Sequence, residues 1–210
     1  MSCGELGELS VAIKNKRNEV PAERALLVGI SGIDASGKGY IATKIASELF
    51  GLNVALINVD GWLNLPDVRF DPADPAEDFY KNALRLDEMF ERLVLPLKTN
   101  RSVDLTMDFA EETATEFRQH RYRFEKIDIV VLEGIFLFKR QFANHFDLKI
   151  WIECSFETAL RRAIGRSQEG LDRKETIDVY NTIYFPAQRI HIARDNPLTV
   201  ADLMFDNRSG

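Results

Sequence analysis

One junction restricts this chain more than any other feature. A continuous apolar run, Ala25-Leu-Leu-Val-Gly-Ile-Ser31, passes directly into Gly32-Ile-Asp-Ala-Ser-Gly-Lys38 and then into a segment with helical spacing. An apolar run without alternation suits a strand buried on both faces, the kind found in parallel sheets flanked by helices. Ile41, Ile45, Ala46 and Leu49 then share one side of a helix over 40–50, with Gly51 as its stop. Parallel strands need crossover connections, so this junction commits the chain to further strand–helix units.

The rest of the sequence supplies them. Strands are expected over 54–60 (VALINVD), 127–136 (IDIVVLEGIF), 147–154 (DLKIWIEC) and 201–207 (ADLMFDN). Helices are expected over 8–18, 78–95, 156–166 and 175–194, the last interrupted by Pro186. VDLTMDF, at 103–109, alternates and predicts one strand of a small antiparallel excursion. Pro66, Pro72 and Pro75 mark 61–80 as a loop without regular helix. The sum is an α/β three-layer sandwich with a mostly parallel central sheet. The 210 residues fit one such domain, taken as 25–210, after a helical extension over 1–24.

The loop between the first strand and its helix comes close to G-x-x-x-x-G-K-[ST], which cradles phosphates. Its glycines let backbone N–H groups face phosphate oxygens, and the helix N-terminus adds partial positive charge. Lys38 reaches the β- and γ-phosphates. The nucleotide segment is therefore Gly32, Ile33, Asp34, Ala35, Ser36, Gly37, Lys38, Gly39 and Tyr40. Gly39 stands where a Ser or Thr hydroxyl would hold magnesium. That removes one direct ligand and leaves the cradle intact, because magnesium keeps several waters and needs only one or two carboxylates beside the phosphates.

Two carboxylates fit that need. Asp60 ends the strand VALINVD and Glu133 ends IDIVVLE. In an open α/β sheet the ligand lies beyond the carboxyl ends of the strands, so both converge on the glycine loop. Asp60 is read as general base or orienter for an attacking hydroxyl, touching the metal through water. Glu133 is read as the acid of the magnesium shell. A helix cap or a loop hydrogen bond stays open for each. Trp62, Phe70 and Tyr80 follow Asp60, either to stack on a ligand or to pack onto the sheet. His120, among Arg118, Arg121 and Arg123, either meets a ligand or lies on a solvated face.

Composition excludes some classes of function. The formal net charge of −6 argues against non-specific nucleic-acid binding. Two cysteines, Cys3 and Cys154, make no disulfide framework, which suits a reduced, cytoplasmic setting. No apolar run is long enough to span a membrane.

Taken together, GIDASGK, INVDGWL, VVLEGIF, FDLKIWIECSFETALRRAIGR, YFPAQRIH and NPLTVADLMFDN resemble the uridine kinase and phosphoribulokinase family of P-loop kinases, from about residue 25 to 206. The resemblance implies the P-loop NTPase fold with a small lid, ATP (or GTP), Mg2+, and phosphorylation of a hydroxyl on a small-molecule acceptor, uridine or cytidine first. It implies catalytic roles for Asp60 and Lys38, and for Arg162 and Arg166 as lid arginines, with Arg161 and Arg173 behind them. It brings Phe109 and His120 to the acceptor through MDFAEETATEFRQH. The sequence departs from the family at Gly39, in the short lid stretch GRSQEGLDR, and in the Gly-Trp that follows Asp60. Pantothenate, glycerate or a sugar phosphate as acceptor, a non-catalytic nucleotide-binding module, and assembly as a homo-oligomer all stay open.

Overall fold

A computed structural model describes residues 2–3, 5–166 and 170–208. In chain order, β1 (Ser2–Cys3), α1 (Leu6–Glu19), β2 (Leu26–Gly32), α2 (Lys38–Glu48) and β3 (Val54–Asn58) form the first half of the sandwich. Short helices α3 (Pro66–Arg69) and α4 (Pro75–Asn82) lead to α5 (Leu86–Met89), which runs through a π turn over Phe90–Val94 into α6 (Leu95–Asn100). A hairpin of β4 (Val103–Phe109) and β5 (Arg118–Phe124) precedes β6 (Ile129–Gly134), α7 (Arg140–Ala143), β7 (Leu148–Glu153) and α8 (Phe156–Arg166). Then α9 (Arg173–Val179) passes through a second π turn, Tyr180–Tyr184, into α10 (Phe185–Asp195), followed by α11 (Pro197–Val200) and β8 (Leu203–Asp206).

Six strands make the central sheet in the order β1-β8-β7-β2-β6-β3, and every pairing is parallel. Alternate residues of the buried strands feed opposite layers. Val28, Ile30, Ile129, Val131 and Ile150 meet Leu9 and Ile13 of α1 and Ile41 and Ile45 of α2. Leu27, Val130, Leu132 and Trp151 face the other way, onto Phe79, Met89, Leu93, Phe138, Tyr184 and Ala187. This is the expected three-layer α/β sandwich. Burying such side chains contributes about 1.5–3 kcal/mol each. Among the described residues no helix is long and apolar enough to cross a membrane.

Several local expectations change. The stretch 61–80 is not free of helix: α3 and α4 each begin on a proline, where the missing N–H would have had no partner. Asp74 caps α4 by accepting the Glu77 N–H at 3.2 Å. The helix expected over 78–95 breaks after Asn82, where Leu84 bridges to Leu63, and resumes as far as Asn100. Pro186 does not interrupt its helix, and Pro96 behaves alike. The N–H just before each proline reaches back five residues, Leu95 to Phe90 and Phe185 to Tyr180. A π turn thus absorbs the bond that proline cannot donate. The antiparallel excursion exists, and its second strand β5 is almost wholly polar. Of the lid stretch, residues 167–169 lie outside the described residues.

Candidate active site

The glycine loop leaves the end of β2 through two left-handed residues, Ala35 (φ 54°) and Gly37 (φ 90°), and α2 starts at Lys38. A Cβ on Gly37 would lie 2.6 Å from Asn207 Nδ2, so only glycine fits there. The loop is pinned from behind at one atom. The Ser36 carbonyl accepts from Asn207 Nδ2 at 2.7 Å and from Arg162 Nη1 at 3.0 Å, while Arg162 Nη2 donates to the Asn207 carbonyl at 2.8 Å. Arg162, expected at the transferred phosphate, is placed by these bonds as a brace of the loop. Arg166 does reach the cleft: it donates to Asp34 Oδ1 at 3.3 Å and to the Tyr180 hydroxyl at 2.9 Å, and that hydroxyl donates to Asp34 Oδ2 at 3.1 Å.

Strand order explains how the two strand-end carboxylates meet the loop. β6 lies between β2 and β3, so Glu133 is level with Ile30 on one side and Asn58 on the other. Asp60 follows in a single 3-10 turn, Val59–Gly61, its N–H donating to Asn58 Oδ1 at 2.6 Å. That turn presses on the end of β6 so closely that a Cβ on Gly134 would sit 2.0 Å from a Val59 methyl. Gly134 is therefore what allows Asp60 to lie beside Glu133.

The charges respond to one another. Burial pushes the Glu133 carboxyl up to about 7; Lys38 opposes this, and Asp60 and Asp34 add to it. Asp60 opens to cleft solvent, yet desolvation by the walls raises its carboxyl against the pull of Lys38 and Arg166. Asp34 moves the other way. Burial alone would raise it, but Lys38, Arg166, the Ala35 N–H and the Tyr180 hydroxyl hold it below the usual carboxylate range. Lys38, itself buried, thus holds three carboxylates in its field.

The residues present fit a cation and phosphates. Glu133 Oε2 and Ser36 Oγ are buried with no hydrogen-bond partner among the described residues. An unpaired buried carboxylate oxygen is costly unless something charged meets it. A Cβ built on Gly39 lies 3.4 Å from Glu133 Oε1, so a hydroxyl at position 39 would stand against the same carboxylate. Gly39 therefore leaves Glu133 as the side chain at this point that could hold a cation. Among the described residues no group of three or more His, Cys, Asp or Glu could hold a metal ion alone.

Beside the loop opens a cleft of about 510 Å³. Asn58, Asp60 and Gly61 form its floor; Phe109, His120, Tyr122 and Phe124 of the hairpin form one wall; Phe79, Tyr184 and Arg166 face them. The Phe109 and His120 rings lie 5.0 Å apart. A Cβ on Gly61 would come 2.2 Å from the Phe109 ring, so the Gly that follows Asp60 seats that ring at the floor. Trp62, Phe70 and Tyr80 are outside the cleft lining. Trp62 is fully buried and stacks on Tyr122 from behind, Phe70 stacks on Phe79, and Tyr80 donates to Asp195 at 2.7 Å. Sequence reasoning missed Glu111, Glu112 and Tyr184 in the lining. A Glu-Glu-Thr in a hairpin loop carries no periodic signal and reads as a solvated turn.

The profile of the Phosphoribulokinase / Uridine kinase family matches residues 27–207. The chain is similar to a uridine kinase of Macrococcus caseolyticus, 27% identical over 169 residues that cover 78% of this chain and 80% of that protein. Among solved structures it is similar to a possible uridine kinase from Bacillus stearothermophilus, with a TM-score of 0.71 and 20% identity over 95% of this chain and 100% of that one. It is also similar to a D-glycerate 3-kinase from Cryptococcus neoformans, with a TM-score of 0.62 and 12% identity over 88% and 87%. At these identities the structural likeness speaks for the fold.

Proposed function

The chain belongs to the phosphoribulokinase and uridine kinase family and is a kinase; on that premise we propose that it transfers the γ-phosphate of ATP to a hydroxyl of an uncharged nucleoside, uridine or cytidine, in the cytoplasm. The observation that carries the choice of acceptor is the charge of the cleft. Asp34, Asp60, Glu111 and Glu112 line it, and Arg166 is already engaged with Asp34. A phosphate or carboxylate on the acceptor would meet these like charges at short range. That disfavours sugar phosphates, glycerate and pantothenate, all anions. Arg69, a basic residue close to Asp60 in sequence, is 1% exposed and paired with Glu112 at 3.1 Å.

In this reading the loop amides and Lys38 hold the ATP phosphates, and Phe109 or His120 offers an aromatic face to the base. Asp60 orients the attacking hydroxyl and receives its proton; its raised basicity suits that task. Magnesium would be held by Glu133, with Asp60 reaching it through water, and would supply charge neutralisation between the phosphates. Arg166 would turn from Asp34 to neutralise charge on the moving phosphoryl group.

ADP release from ATP and magnesium, measured against uridine, cytidine, pantothenate, glycerate and ribulose 5-phosphate, tests this directly, with Asp60→Asn as control. Turnover of the two nucleosides and none of the anions is expected. Preferred turnover of an anionic acceptor would discard the nucleoside. ATP binding with no turnover of any acceptor would leave a nucleotide-binding module.

A further inference from the structure

Glu112, like Asp34, is held by an arginine and a tyrosine, but its arginine, unlike Arg166, is shut off from solvent. The partners of Glu112 come from two distant segments. Arg69 Nη1, on α3, lies 3.1 Å from Oε2, and Arg69 Nη2 donates to the Glu112 carbonyl at 3.0 Å. The Tyr184 hydroxyl, from the second π turn, donates to Oε1 at 2.9 Å. Arg69 is shut off from solvent, whereas the Glu112 side chain keeps 26% of its surface. The neighbouring Glu111 is an ordinary surface residue: it pairs with Arg118 at 2.7 Å, and both side chains are more than half exposed.

A buried guanidinium whose one ion pair is with a partly open carboxylate is costly to desolvate, even where its face also covers the Phe70 ring. The charge of Arg69 is taken out of water, and its attraction to Glu112 has to offset that loss. The result is a carboxylate locked in one orientation at the cleft surface. An ionised carboxylate offers about four lone-pair sites and no donor. Arg69 and Tyr184 occupy one on each oxygen, so acceptor capacity remains on the side that lines the cleft. Such a group binds hydrogen-bond donors and repels bare acceptors.

We infer that Glu112 is a specificity-determining contact for the phosphoryl acceptor, accepting a hydrogen bond from a donor group on it, with Arg69 and Tyr184 as its positioning residues. The inference rests on the nucleoside reading above and deepens it. The donor belongs to one of two parts of the acceptor: a ribose hydroxyl or an exocyclic amine of the base. Both satisfy the same carboxylate, and substrate analogues tell them apart.

The test is steady-state kinetics of the wild-type chain with cytidine, 2′-deoxycytidine and N4,N4-dimethylcytidine, repeated in Glu112→Gln and in the double variant Arg69→Met/Glu112→Gln. The double variant removes both charges together, so no buried guanidinium is left unpaired. In the wild type, the analogue that lacks the donor shows KM raised about tenfold or more, as for a lost bond to a charged group, with kcat and the KM for ATP within about twofold. A poor 2′-deoxycytidine assigns the ribose, and a poor dimethylcytidine assigns the amine. In the double variant the preference collapses and the analogues converge. Equal KM values across the wild-type panel, or a preference that survives the double variant, overturn the role of Glu112 and leave the nucleoside kinase standing. No turnover of any nucleoside overturns both.

Discussion

The glycine loop and the cleft beside it form two walls of the proposed site, and they are made by different means. The phosphate wall is a product of backbone: two left-handed residues, a helix start and one carbonyl braced from behind, all within a few residues of β2 except for the brace. The wall proposed for the acceptor is a product of side chains brought from positions 60, 109, 112, 120 and 184. Backbone amides cannot be substituted away, so a wall built from them tolerates drift in its side chains, Gly39 included. A wall of side chains changes its preference whenever one of them changes. One fold can therefore keep its phosphate donor while its acceptors diverge.

This contrast predicts effects of different size on the two walls. The largest lies at the seam. Asp60→Asn keeps the shape of the floor and removes the proton acceptor; kcat should fall about 10²–10⁴-fold while the KM for ATP stays within about twofold. An equal loss in ATP binding would break the division between the walls.

Next is Glu133→Gln, which should abolish magnesium-dependent turnover yet stabilise the fold. A carboxyl whose folded pKa lies above its free value binds its proton more tightly when folded. Its cost to stability appears as pH rises above 4.5 and is complete above about 7. Denaturation without magnesium should show the variant more stable at pH 8, by at most about 3 kcal/mol, with the gain vanishing below about pH 4.5. A variant less stable at pH 8 would mean that Glu133 has a protein partner.

Gly61→Ala forces a methyl into the Phe109 ring. A destabilisation of about 1–3 kcal/mol and a raised KM for the acceptor alone are expected; a matching rise for ATP would show that the walls move together. The smallest effect belongs to Gly39→Ser. The new side chain sits beside Glu133, so the magnesium concentration for half-maximal rate should drop a few-fold, by direct ligation, with kcat nearly unchanged. Large activation would mean that the glycine had disabled the site.

Local sequence and long-range assembly explain what could be read in advance. The junction at Gly32 and the endings VD60 and LE133 were legible because strand, loop and helix are contiguous there and the strand order of an α/β sheet collects its ends. β5 was not legible, since RQHRYRF has only Tyr122 and Phe124 as apolar residues and gains strand character by pairing with β4. Trp62, Phe70 and Tyr80 look like ligand-stacking aromatics in a list of residues; only packing shows that they back the cleft. Arg162 and Arg166 lie on one helix four residues apart, and no spacing rule tells which reaches the cleft and which braces the loop.

The brace on Ser36 also sets an order of events. Its two donors stand at positions 162 and 207, so the phosphate loop is held in shape by residues made long after it. On a growing chain the strand and glycines of the loop emerge well before their partner Asn207. Nucleotide affinity is then acquired only after both braces have been made. Chains released short of Asn207 carry the whole loop sequence but not its form, and binding of an ATP analogue to chains cut before and after that residue would register the step.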